Sequence, residues 1–134
     1  MMITFKIDGQ PQGKARPRFT KSGHAYTPEK TKAYEEAVAW AYKSAGGQLN
    51  GGYVTVNIAA FYKIPKSITK EKRGLIEKGF LKPSVKPDID NVVKAVLDGL
   101  NGVAYCDDAQ VIRITATKAY STEPSVVVEV ITDE

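Results

Sequence analysis

The run Lys86-Pro87-Asp88-Ile89-Asp90-Asn91-Val92-Val93-Lys94 holds the residues best able to do chemistry. Pro87 keeps Lys86 in an extended conformation. In an extended segment the side chains at i and i+2 point the same way. Asp88 and Asp90 therefore face one spot at the mouth of a helix, and Lys94 stands one turn up the same side. By itself Asp90 reads as a helix N-cap, which leaves Asp88 and the bracketing lysines without a role. Lys94 by itself reads as a surface partner of Asp98, in the weaker lysine-first order. A second acidic pair, Asp107-Asp108, follows Tyr105-Cys106 and precedes Gln110-Val111. Alone it reads as a turn, but the two pairs can approach if the helix between them packs its apolar face on the closing strands.

Carboxylates so gathered repel. Either one keeps a proton with a raised pKa, or a divalent cation neutralises them. The donors are hard oxygens, which suits magnesium, a cation that takes few protein carboxylates and fills its shell with water or phosphate. His24 is the only histidine and Cys106 the only cysteine, which argues against zinc, a disulfide framework and a Ser-His-Asp triad. No glycine-rich phosphate loop is present.

Charge is segregated along the chain. Residues 13–32 carry six Lys or Arg against one acid, residues 63–97 nine against four, and residues 98–134 two against seven. Basic stripes attract phosphates, and clustered acids repel them unless a cation intervenes. Acids that hold magnesium beside bases that hold phosphate point to metal-assisted phosphodiester hydrolysis, in which Lys94 balances developing negative charge or positions the water. In the segment Gly13 to Thr20, Arg16 and Arg18 point to one side if the backbone is extended. Such a pair suits bidentate phosphate contact, and Phe19 can stack or wedge. Lys14, Arg16, Arg18, Phe19 and Lys86 are thus the expected DNA contacts.

The elements that must position these residues follow from periodicity. Residues 2–8 alternate through Ile3, Phe5 and Ile7 and predict a half-buried strand. Gln10–Tyr26 reads as a long Gly/Pro/basic loop. Thr27 as N-cap and Pro28 at the first helical position start a helix that runs to about Ala45, with Tyr34, Ala37, Val38, Ala41 and Ala45 as its stripe and Trp40 opposite. Tyr53–Tyr62 predicts a strand, and residues 67–78 a short basic helix. Residues 91–100 predict a second strong helix with Val92, Val93, Val96, Leu97 and Leu100 on one face. Gln110–Tyr120 and Ser125–Ile131 predict two closing strands, read as a hairpin. The expected fold is α+β: a mixed sheet of about four to five strands, two main helices and one short one. At 134 residues, 43% hydrophobic and 25% charged, the composition is that of one globular domain over 1–134 rather than of a disordered chain. No apolar run reaches membrane-span length, and Met1 to Asp8 alternates too strictly for a signal peptide, so a cytoplasmic protein is expected.

The run Lys86 to Asn91, then Lys94, Leu97-Asp98, Leu100-Asn101-Gly102 and Asp107-Asp108-Ala109-Gln110-Val111, resembles the RusA family of Holliday-junction resolvases. Gly13 to Thr20 and His24 to Pro28 look like the phage-type and prophage-type members. Tyr105-Cys106 depart from the prototype, which is aromatic, often Trp, just before the second acidic pair. The resemblance implies a magnesium-dependent, homodimeric endodeoxyribonuclease that nicks four-way DNA junctions in recombination and repair. It puts the catalytic, metal-holding aspartates on Asp88, Asp90 and Asp108, the catalytic lysine on Lys94, and the adjacent acid on Asp107. Size argues for the dimer as well. A domain of roughly 14 Å radius of gyration covers only part of a junction, and two symmetric nicks need two acidic clusters, which a two-fold dimer supplies. A DNA-binding recombination accessory without activity, and a magnesium nuclease for flaps or RNA, are the competing readings. The carboxylates favour an enzyme, because a pure DNA binder gains nothing from acids facing phosphate.

Overall fold

The computed structural model describes residues 1–14, 18–26 and 28–133, Arg18 by its backbone alone. Strand β1 (Met2–Asp8) alternates as expected, with Phe5 and Ile7 buried and Thr4, Lys6 and Asp8 facing out. The stretch expected to be a long loop contains a small antiparallel hairpin, β2 (Arg18–Phe19) with β3 (Ala25–Tyr26). It is closed by the Thr20 N–H donating to the His24 carbonyl at 2.9 Å. A ladder of two residues is too short to leave a periodic signal.

Helix α1 (Glu29–Ser44) starts from Pro28 at the N-cap position, one place earlier than Pro28 was expected to serve; Thr27, the expected cap, lies outside the described residues. The buried row is Thr31, Tyr34, Val38 and Tyr42. Ala37 and Ala45, expected in the stripe, are exposed, because two tyrosines at i, i+4 spacing around Val38 turn the helix toward the bulkier side. Trp40 is exposed on the far side.

Strand β4 (Val54–Lys63) is followed by α2 (Lys70–Glu77), capped by the Thr69 hydroxyl and with no buried residue. Helix α3 (Ile89–Leu100) begins two residues before the expected start. Asp88, with extended backbone, takes the N-cap position, and its carbonyl accepts from the N–H groups of Asn91 and Val92, both at 3.1 Å. Asp90 is therefore a first-turn residue and not the cap. A 3-10 turn (Asp108–Gln110) leads into β5 (Val111–Ser121), and β6 (Ser125–Thr132) closes the fold.

The four-stranded sheet has the order β1-β6-β4-β5. Strand β6 runs antiparallel to both β1 and β4, and β5 runs parallel to β4. This corrects the expected hairpin: β5 and β6 are not neighbours, because β4 lies between them. Burial explains the choice. Val126, Val128 and Val130 of β6 and Val54, Val56 and Ile58 of β4 are almost wholly buried, so these two strands take the centre. Strand β5 leaves Ile112, Arg113 and Thr115 exposed and takes the edge.

Helices α1 and α3 pack against each other, α1 also against β1 and α3 against β5. Val92, Ala95, Val96 and Leu100 of α3 join Tyr34, Val38 and Tyr42 of α1 in one core with the sheet. The helices cross closely at Gly99, where a Cβ would sit 2.6 Å from the Val38 Cβ and 3.0 Å from the Glu35 carbonyl oxygen. Among the described residues, no helix is long and apolar enough to cross a membrane.

Candidate active site

Asp88 and Asp90 stand at the amino end of α3, both exposed. The Asp88 side chain makes no capping hydrogen bond, so its carboxylate is uncommitted to the helix. The segment leading to it is tied to the sheet. The Tyr62 hydroxyl donates to the Pro87 carbonyl, and the Lys118 ammonium donates to the Val85 carbonyl at 2.8 Å while lying 4.7 Å from the centre of the Tyr62 ring. Lys86 is exposed and reaches to 3.8 Å from the Asp88 carboxylate. At this exposure such a pair adds little stability, and its ammonium remains open to a phosphate.

Lys94 and Asp98 follow Asp90 at successive four-residue steps, which puts all three on one side of α3. The Lys94 ammonium lies 4.0 Å from an Asp98 oxygen that is also held by Lys14 at 3.1 Å. Lys14, expected among the DNA contacts, turns its ammonium inward, to Glu35 of α1 at 2.7 Å as well as to Asp98. Phe19 is exposed on β2. Arg16 and the side chain of Arg18 lie outside the described residues.

The second acidic pair is built by a reciprocal cap. The Asp107 carboxylate accepts from the Ala109 N–H at 3.3 Å, and the Gln110 side chain reaches back to accept from the N–H groups of Cys106 at 2.8 Å and Asp107 at 3.2 Å. The Gln110 amide then donates to the carbonyls of Asn50 at 2.9 Å and Gly52 at 2.8 Å, anchoring the turn to the segment before β4. Asp107 and Asp108 share a hydrogen bond. It pushes the Asp108 carboxyl above its usual range, with the charges of Asp107 and Asp98 adding to the shift and Lys94 opposing it. The same bond holds Asp107 below its usual range. Asp108 is thus within charge reach of both Lys94 and Asp98, so the turn and α3 face a common region. Tyr105, wholly buried, ties them together by donating to the Leu97 carbonyl at 2.6 Å.

Among the described residues, no group of three or more His, Cys, Asp or Glu side chains is arranged to hold a metal ion alone. The donor set still fits a hard cation. Every acid in it is an exposed oxygen donor, and Asp107 and Asp108 are adjacent carboxyls whose pKa values are pushed in opposite directions, a repulsion that a dication would relieve. Magnesium needs only one or two protein carboxylates when water and phosphate complete its shell.

Tyr62, Lys118 and Glu35 were not singled out from the sequence, and Gln110 was named only within the second acidic motif, without a role. Gln110 had a local signal, since an acid followed three residues later by Gln is the spacing of a capping box. The others act through contacts across the sheet and between the helices, for which the sequence holds no local signal.

A model of the endodeoxyribonuclease RusA family matches residues 8–131 of the chain. The chain is also 38% identical over 130 residues to the uncharacterized protein YqaN of Bacillus subtilis (strain 168), an alignment that covers 92% of each chain. A match of this extent, over a chain whose two acidic pairs flank one helix, places the protein in the RusA endodeoxyribonuclease family.

Proposed function

We propose that the protein is a magnesium-dependent, structure-selective endodeoxyribonuclease of the cytoplasm that resolves four-way DNA junctions by paired nicks, working as a homodimer. The observation that carries this reading is the uncommitted Asp88 carboxylate at the head of α3, with Asp90, Lys94 and the Asp107-Asp108 turn ranged along the helix behind it. Asp88, Asp90 and Asp108, with Asp107 beside them, are the residues that would hold the cation. Its contribution when bound is to acidify an attacking water and to offset charge on the reacting phosphate. Lys94, more than half exposed, brings a mobile positive charge to that phosphate, where it stabilises the charge that builds in the transition state. Lys86 with Arg16, Arg18 and Phe19 of the basic amino-terminal segment, Lys14 excepted, supply phosphate contacts and a stacking surface along the strand.

Two nicks related by a two-fold axis require two such sites. The open edge of β5, with Ile112 and Ile114 exposed, and the outer side of α1 with Trp40 are apolar surfaces suited to a second copy. Sedimentation at micromolar concentration reads this directly, and a mass near 14.6 kDa that junction DNA leaves unchanged excludes the dimer. For the activity, a labelled synthetic four-way junction and the matching linear duplex are incubated with and without magnesium. Paired cleavage of the junction alone, in magnesium alone, is the expected result. Tight junction binding without cleavage under any condition would make the protein a DNA-binding accessory instead.

A further inference from the structure

We propose that Lys14 is a positioning residue that occupies Asp98 and so keeps Lys94 free to reach the reacting phosphate. This rests on the reading of Lys94 given above.

Lys14, Glu35 and Asp98 form a partly enclosed cluster, with side chains 19%, 21% and 21% exposed. One ammonium is shared between acids from two helices, at 2.7 Å from Glu35 and 3.1 Å from Asp98. The two acids meet because α1 and α3 nearly touch at Gly99. Lys94 pairs with the same Asp98 oxygen only loosely, at 4.0 Å, with its side chain 62% exposed. Asp98 is thus claimed first by Lys14.

The backbone fixes this order. The Lys14 N–H donates to the Asn91 carbonyl at 3.1 Å. Gly13 lies so close to α3 that a Cβ would fall 2.9 Å from the Pro87 Cβ and 3.0 Å from the Asn91 Cβ. The amino-terminal segment is therefore pinned to the first turn of α3, and the Lys14 side chain runs from there to Asp98. Among the described residues, Asp98 without Lys14 has one cation within reach, Lys94, one helical turn back. A tighter ion pair between them would turn Lys94 away from a phosphate and leave only a weakened charge there. As a DNA contact Lys14 is poorly placed, since its ammonium is already satisfied by two carboxylates.

The test compares Lys14→Met, Lys14→Arg and Lys14→Met with Asp98→Asn, alongside the wild type and Lys94→Ala. Single-turnover cleavage of saturating four-way junction, junction affinity across salt, and thermal melting are measured for each. Lys14→Met should slow cleavage about a hundredfold, the scale of a misplaced reacting group, with affinity and salt slope unchanged. Lys14→Arg should cleave near the wild-type rate, and Asp98→Asn added to Lys14→Met should restore most of the rate, because the acid that captures Lys94 is gone. The Lys94 ammonium signal in NMR should shift in Lys14→Met and return in the double variant, a readout independent of cleavage. A salt slope lowered by about 0.9 in Lys14→Met, without rescue by Asp98→Asn, would make Lys14 a DNA contact. A wild-type rate in Lys14→Met, or an unmoved Lys94 signal, overturns the proposal. Cleavage that persists in Lys94→Ala overturns the functional reading of Lys94 itself, whatever the NMR shows.

Discussion

The Tyr62 hydroxyl donates to the Pro87 carbonyl oxygen at 2.5 Å, so a residue buried in the central sheet fixes the backbone one position before Asp88. The acid at the head of α3 is held from the sheet, and only partly by the helix it begins. Tyr62→Phe removes that bond while keeping the ring. The expected cost is about 1 kcal/mol of stability, with a larger proportional fall in junction cleavage than in junction binding. Denaturant unfolding and single-turnover cleavage check this; equal, unchanged values in both would mean that the bond does not position Asp88.

Asn in place of Asp88, Asp90 or Asp108 should abolish cleavage and leave junction binding intact or tighter, since each substitution relieves repulsion between carboxylate and phosphate. Gel shift and cleavage on the same four-way junction separate the two effects. Near-normal cleavage by all three variants sinks the assignment.

Gln110→Ala deletes the side chain that accepts from Cys106 and Asp107 and donates to Asn50 and Gly52. Groups left without partners should cost about 1–3 kcal/mol, and the Asp107-Asp108 turn should lose its fixed relation to α3. A drop in the magnesium affinity read by titration of cleavage is the expected signature. If stability falls and magnesium dependence does not move, the turn is structural only.

Burial, with the Tyr62 phenol adding to it, pushes the Tyr34 phenol up from 10.0 to about 12. The folded state therefore keeps this proton after the unfolded chain has lost it. The associated stability is whole below pH 10 and drains as pH rises toward 12. Tyr42, Tyr62 and Tyr105 are shifted the same way by burial and add to the trend. The Tyr34 hydroxyl is buried with no hydrogen-bond partner among the described residues, so Tyr34→Phe should keep or raise the melting temperature at neutral pH. It should also flatten the alkaline decline. A melting temperature that falls by several degrees at neutral pH would show that the hydroxyl is satisfied in solution.

Much of this protein was legible in one dimension because the signals are local. Alternation in residues 2–8 and the apolar row Val92, Val96 and Leu100 depend only on backbone period, and the structure returns both. Lys94 stands one turn beyond Asp90 as helical spacing requires, but Asp88 and Asp90 do not share the expected extended segment, because the helix already begins at Ile89. Where the helix begins was less legible: Asp88 and Asp90 are both good caps by type, and the choice fell to Asp88 because Tyr62 holds Pro87 from outside the helix. The place of β6 was not legible at all. A short connection from β5 suggests a hairpin, but burying three valines between β1 and β4 outweighs the simpler pairing. The inward turn of Lys14 is of the same kind. A lysine in a basic segment reads as a phosphate contact, and only the crossing of α1 and α3 at Gly99 brings Glu35 and Asp98 close enough to claim its charge.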